Sequence, residues 1–203
     1  MPDGLISQLD LIKRLVDAWR VPSFKLEGFE AEDLLATVAR RIAGEGLDVF
    51  LVTGDKDALQ LIGPHVKVFN PHKDNGIVID APQVVERYGV GPERIVELMA
   101  LMGDDIDNIP GVPGIGEKTG SDLLRKFGSL EALFARLDEV PSASVREKLA
   151  AHREQVAMSR ELAQIHTEAP IEVSLEAMKA QAPDSVALRR LFRELEFKKL
   201  VAE

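Results

Sequence analysis

The stretch Asp48-Val-Phe-Leu-Val-Thr-Gly-Asp-Lys-Asp57 decides how this chain is read. Residues 48–53 form a continuous β-prone run, the pattern of a strand buried on both faces of a parallel sheet. Thr53-Gly54-Asp55-Lys56-Asp57 follows at once. In open parallel sheets ligands bind outside the carboxyl ends of the strands, so this acidic loop lies where a site is expected. Capping of a short helix over 57–62 by Asp55 or Asp57 accounts for the same acids equally well.

Upstream, Leu5, Ile6, Leu9, Ile12, Leu15, Val16 and Trp19 recur at helical spacing and predict an amphipathic helix over 5–19, broken by Val21-Pro22. A second helix is expected over 30–43, with Leu34, Leu35, Val38 and Ile42 as its core face and Gly44 and Gly46 as its stop. Downstream, 66–69 and 77–80 read as a strand pair around the turn His72–Gly76, where Asn75-Gly76 is a strong turn signal. Beyond Pro82 the pattern is helical, over about 82–88, 92–102, 117–127, 129–137, 143–165 and 185–197. The fold class is therefore α/β followed by all-α. Two parts are expected, 1–102 and 103–203, with a hinge near Gly103.

The 203 residues are 45% hydrophobic, enough for one domain or one domain with a smaller appendage. The absence of cysteine excludes a disulfide scaffold, a zinc ribbon and a cysteine nucleophile. No apolar run has the length of a membrane span, and Met1-Pro-Asp-Gly4 lacks the basic and apolar regions of a signal peptide. The expectation is a cytoplasmic protein without a membrane partner. The net charge of -9 argues at first sight against a nucleic-acid ligand. That charge is concentrated, however: residues 1–107 carry 19 acids against 11 bases, whereas 108–161 are balanced.

Three acidic clusters stand out: Glu30-Ala-Glu32-Asp33, the loop with Asp55 and Asp57, and Gly103-Asp104-Asp105-Ile-Asp107-Asn108. Each has a plain explanation, as helix-dipole acids, a helix cap and a solvated turn. Together they supply what hard cations such as Mg²⁺ require, oxygen ligands from separate segments. Two such ions about 4 Å apart can activate water and stabilise the leaving oxygen in phosphodiester hydrolysis. His65, His72, His152 and His166 lack the spacing of a zinc site.

Residues 110–120 read Pro-Gly-Val-Pro-Gly-Ile-Gly-Glu-Lys-Thr-Gly and lead into an apolar-periodic helix. Glu117 separates Gly116 from Lys118, which breaks a Walker loop, and no strand precedes the loop as a dinucleotide fingerprint requires. What remains is a turn that presents backbone N–H groups, a helix N-terminus and Lys118 to an anion. A nucleic-acid phosphate suits it without base readout, and an ordinary helix–turn–helix connection is the alternative.

The segments 29–36, 51–61 and 102–119, in that order, closely resemble the 5′→3′ exonuclease domain of bacterial DNA polymerase I, in the flap endonuclease family. The resemblance extends to Leu195-Glu-Phe-Lys-Lys-Leu200. It implies an incomplete PIN-like or resolvase-like parallel sheet with flanking helices, followed by a helix–three-turn–helix subdomain. It also implies a two-metal nuclease that removes 5′ flaps and RNA primers, with Mg²⁺ or Mn²⁺ as cofactor. Glu30, Glu32 and Asp33 match the acids of the first metal, and Asp55, Asp57, Asp104 and Asp107 those of the second. Asp105 falls where the family tolerates other residues, and Glu32 stands where polymerase-linked members usually carry Asp. Residues 111–126 match the helix–three-turn–helix, with Gly111, Val112, Gly114, Ile115, Gly116, Lys118 and Thr119 against duplex DNA, and K⁺ often bound there.

The pattern joins this sequence only after the strand and basic arch with which family members begin. The expectation is a truncated form lacking two metal-binding Asp, which can be inactive as it stands, with a polymerase domain in a longer parent chain. A non-catalytic module for structured duplex DNA is the alternative, and an acidic metal-binding protein unrelated to DNA a third. Eight acids of the three clusters account for nearly all of the net charge of -9, so the acidity does not oppose a polyanionic substrate.

Overall fold

The computed structural model describes residues 3–73 and 75–202, the side chains of residues 3 and 202 excepted. In chain order its helices and strands are α1 (Asp3–Ile6), α2 (Leu9–Ala18), α3 (Ala31–Gly44), β1 (Val49–Val52), β2 (Val66–Asn70), β3 (Ile77–Ile79), α4 (Ala81–Tyr88), α5 (Ile95–Met102), α6 (Glu117–Phe127), α7 (Leu130–Ala135), α8 (Ala143–Ala151), α9 (Arg153–Ala163), α10 (Ser185–Glu194) and α11 (Lys198–Ala202). Single 3-10 turns cover Asp57–Leu61, Pro92–Arg94 and Leu137–Glu139. Asp74, inside the expected turn His72–Gly76, lies outside the described residues.

The chain divides into two compact units, Met1–Glu27 with Ile171–Glu203, and Gly28–Pro170. α5 is the central helix of the larger unit. Ile95, Leu98, Met99, Ala100 and Leu101 are all at most 3% exposed, and the helix packs against both α6 and α9. Its one charged residue, Glu97, is satisfied: it accepts hydrogen bonds from Arg94 Nη1 (2.8 Å) and from Leu130 N (3.1 Å). Gly120 lets α6 approach closely, since a Cβ there would stand 2.8 Å from Leu98 Cδ1.

The sheet has the order β1-β2-β3, with β1 parallel to β2 in the register Val49↔Val66 and β2 antiparallel to β3. Asn75 (φ 64°) and Gly76 (φ 99°) carry the left-handed backbone that the turn signal demands. The burial of β1 differs from the expectation of two covered faces. Leu51 is buried, but Phe50 and Val52 are 53% and 65% exposed. Alternate residues of a strand point to opposite faces, and among the described residues only the Leu51 face is covered.

Two helices also depart from the pattern. The buried face of α3 is Ala36, Thr37 and Ala39, whereas Leu35 is 42% exposed and Leu34, Val38 and Ile42 are half-buried. The reason is a contact distant in sequence: Thr37 Oγ1 accepts from Ala169 N at 3.0 Å, which turns this side of the helix inward. The expected helix 143–165 breaks at His152, whose backbone (φ -116°, ψ 21°) leaves the helical region while its Nδ1 sits 2.8 Å from Lys148 O. In the smaller unit, 5–19 is interrupted between α1 and α2, and Ala18, Leu188, Leu191 and Phe192 form the core against which Leu15 packs.

Candidate active site

The acidic loop after β1 is shaped by its own side chains. Thr53 Oγ1 accepts from Asp55 N at 3.0 Å, and Asp55 Oδ1 accepts from Asp57 N at 2.9 Å. The chain thereby turns from the strand into the 3-10 turn and carries Asp57 inward. Asp55 thus closes an Asx turn ahead of the 3-10 turn, whose N-cap is Lys56, and still stands at the carboxyl end of a strand.

The loop 104–109 is closed by a pair of backbone bonds, Asp104 N to Ile109 O and Ile109 N to Asp104 O, both 2.8 Å. Asn108 completes the turn at φ 56°, and Asp104 Oδ1 accepts from Ile106 N at 3.0 Å. This small hairpin drives the Asp104 side chain, 1% exposed, into the protein and leaves Asp105 and Asp107 outside. Asp57, Asp104 and Asp107 each bring a carboxylate oxygen within 4.8 Å of the others. The Lys56 ammonium contacts Asp104 Oδ2.

Charge crowding is visible in the acidities. Asp57 is pushed up to about 7 by burial, then by the charges of Asp55, Asp107 and Asp104. Asp107 is raised by desolvation and by Asp104. Asp104 is held below the usual carboxylate range: burial opposes this, and the Lys56 ammonium together with the backbone N–H groups of Ile106 and Asp107 outweighs it. Lys56 is raised for the same reason, its own desolvation being overcome by Asp104. Asp57 Oδ1 is buried with no hydrogen-bond partner among the described residues. Such an orphaned oxygen, in a carboxyl whose acidity is weakened by burial and by neighbouring acids, fits a cation ligand.

The first cluster reaches the same place from α3. Glu30, Glu32, Asp33, Asp55, Asp57 and Asp107 line one cavity of about 360 Å³, whose wall also includes Leu162, Ala163, Gln164 and Ile165. Asp33 is a partner of the backbone, its Oδ2 accepting from Glu30 N at 3.3 Å and its Oδ1 from His166 N at 2.9 Å. Gln60 holds the wall in place by donating to Ala163 O (2.9 Å) and accepting from Ile165 N (3.1 Å).

The glycine loop sorts its residues by direction. Val112 and Ile115 are buried, and Val112 N donates to Leu101 O at 2.8 Å. A Cβ on Gly111 would meet Met102 C at 2.2 Å, so this glycine permits backbone-to-backbone contact at the end of α5. Gly114, at φ 81°, lies beneath the Lys148 ammonium. Gly116 and Lys118 are exposed, Thr119 is half-buried, and Gly116 caps α6 without a side chain. The first N–H groups of α6 therefore have no partner within the helix.

Two family models together cover residues 1–186: that of the 5′-3′ exonuclease N-terminal resolvase-like domain matches 1–89, and that of the 5′-3′ exonuclease C-terminal SAM fold matches 90–186. The chain belongs to the 5′-3′ exonuclease family. The DNA polymerase I of Bacillus caldotenax is 44% identical over 198 residues, which are 97% of this chain and 23% of that protein. The thermostable DNA polymerase I of Thermus filiformis is 44% identical over 202 residues, covering 100% and 24%. The chain thus spans about a quarter of the length of these relatives. Among solved structures, a bacteriophage T5 flap endonuclease in a pseudo-enzyme-product complex with DNA and metal ions is similar at 25% identity and TM-score 0.63, over 87% of this chain and 62% of that one. The bacteriophage T5 5′-exonuclease with bound zinc shares the fold at TM-score 0.69 and 24% identity, over 97% and 72%.

For this 5′-3′ exonuclease chain, the structure brings all three predicted acidic clusters to one place. Two participants escaped the sequence reading, Lys56 and Gln60. Lys56 had a signal, a lone cation between Asp55 and Asp57 that must neutralise some carboxylate. Gln60 had none, because its partners lie more than 100 residues away. No helix among the described residues is long and apolar enough to cross a membrane.

Proposed function

We propose that the cavity between α3, the end of β1 and the loop 104–109 is the metal centre of a 5′→3′ exonuclease and 5′-flap endonuclease acting on DNA in replication and repair. The observation that carries this reading is the convergence of acids from three distant segments on one cavity, with the buried Asp57 Oδ1 unpartnered. Asp57, Asp104 and Asp107, with Asp55, would hold one ion, and Glu30, Glu32 and Asp33 a second. Mg²⁺ or Mn²⁺ is the cofactor, since an all-oxygen donor set suits hard ions. When bound, the ions supply a nucleophilic water near neutral pH and offset the charge developing on the scissile phosphate.

The chain's own groups do the rest. Asp57, raised to about 7, would release any proton it carries to solvent before serving as an anionic ligand. Asp104, fixed by its hairpin, keeps its carboxylate in place. Gly114, Gly116, Lys118 and Thr119 present the N-terminus of α6 to a backbone phosphate of the duplex, with K⁺ at this element. Gly111, Val112 and Ile115 position that loop from within. A polymerase domain in a longer parent chain belongs to the same reading.

The test is cleavage of a duplex carrying a 5′ single-stranded flap. Expected is Mg²⁺-dependent cutting near the junction, lost with EDTA and in D57N and D107N. Duplex binding that survives both substitutions, with no cutting either by the unsubstituted chain or by a form that restores the upstream strand and basic arch, supports the non-catalytic module instead.

A further inference from the structure

We propose that Lys56 is an internal counter-ion, which neutralises Asp104 in the metal-free protein and is displaced when a divalent cation binds. This rests on the metal-site reading above. The Asp104 side chain is 1% exposed, and a carboxylate so buried is strongly disfavoured unless paired. Lys56 supplies the pairing. Its ammonium meets Oδ2 of Asp104, while Oδ1 is occupied by Ile106 N.

The pairing collides with metal binding. A cation shared by Asp57, Asp104 and Asp107 would lie among oxygens within 4.8 Å of one another, one of them from Asp104. An ammonium on the same carboxylate repels that cation at short range in a poorly screened site. Lys56 is also built to leave. Its side chain is 33% exposed, and it shares the lining of a small apolar cavity with Leu59, Tyr88, Met99 and Met102. It lines the neighbouring cavity of about 520 Å³ as well, where Glu86 offers an acidic partner to a displaced ammonium beside the cations Lys73 and Arg87. Lys56 therefore acts on the metal site through Asp104 and is a positioning residue with two places to rest.

The experiment is a Mn²⁺ titration by calorimetry of the wild-type chain, K56M and D57N. Methionine keeps the apolar stem and removes the charge. With one repelling charge removed, the dissociation constant for Mn²⁺ should fall by about ten-fold in K56M. An equal or weaker affinity in K56M, with D57N defective as expected, overturns the counter-ion role while leaving the metal site intact. Failure of the wild-type chain to bind Mn²⁺, or unchanged binding by D57N, overturns both readings. Should K56M not fold, the ¹⁵Nζ resonance of Lys56 in the wild-type protein decides. Displacement predicts that it shifts on adding Mg²⁺, and a resonance unmoved at saturating Mg²⁺ refutes it.

Discussion

Asp57 is half protonated at neutral pH in the metal-free chain, because burial and three neighbouring acids raise it to about 7. The sign of the consequence follows from linkage. The folded value lies above the ordinary 3.8, so the native chain retains a proton that the unfolded chain releases. This contribution to stability is complete below the ordinary value and is lost as pH rises through about 7. Asparagine mimics the protonated state. At pH 8 without metal, D57N should therefore be more stable than wild type by about 1–3 kcal/mol, after allowance for solvent screening, with little difference at pH 4. Urea denaturation at the two pH values checks this; equal differences at both would contradict it. At this scale the acids were legible in sequence, since types and spacing identify them. The Lys56–Asp104 pair was not, because it depends on a hairpin that turns one acid of a run inward while its neighbours stay outside.

The glycine loop between α5 and α6 combines two kinds of glycine. Gly111 touches the backbone of Met102, so G111A should destabilise the chain by about 2–4 kcal/mol through forced separation of α5 from the loop. No atom lies within 4 Å of a Cβ on Gly116, and G116A should cost only about 0.5–1 kcal/mol, the preference for glycine over alanine at an N-cap. K118A should leave stability unaltered, weaken duplex binding, and lower the slope of log affinity against log salt by about 1. Thermal melts and binding isotherms at several salt concentrations separate the three. The sequence named this loop correctly as one unit, yet spacing alone does not distinguish a glycine that packs from one that presents. The same gap explains α3 and β1. Apolar periodicity located both elements, but the buried face of α3 depends on Thr37 meeting Ala169 N, a contact 132 residues away in sequence. In β1 the even run of apolar residues concealed that only the Leu51 side is covered among the described residues.

At the scale of the whole molecule, every residue of the large core and every carboxylate of the candidate centre lies within Gly28–Pro170. That segment alone should unfold in one cooperative transition and bind Mn²⁺ within about three-fold of the entire chain, since it retains its core and its ligands. A non-cooperative melt would show that the remaining residues are needed for its core. The net charge of -9 belongs to this scale too: on the proposed reading it reflects the acids gathered at the candidate metal centre, and binding two divalent ions would offset much of it. The measurement that tests the metal centre most directly is anomalous scattering from crystals soaked in Mn²⁺. The arrangement predicts one peak among Asp57, Asp104 and Asp107 and another beside Glu30, Glu32 and Asp33. A cavity without a peak, in crystals that bind Mn²⁺ elsewhere, would contradict it.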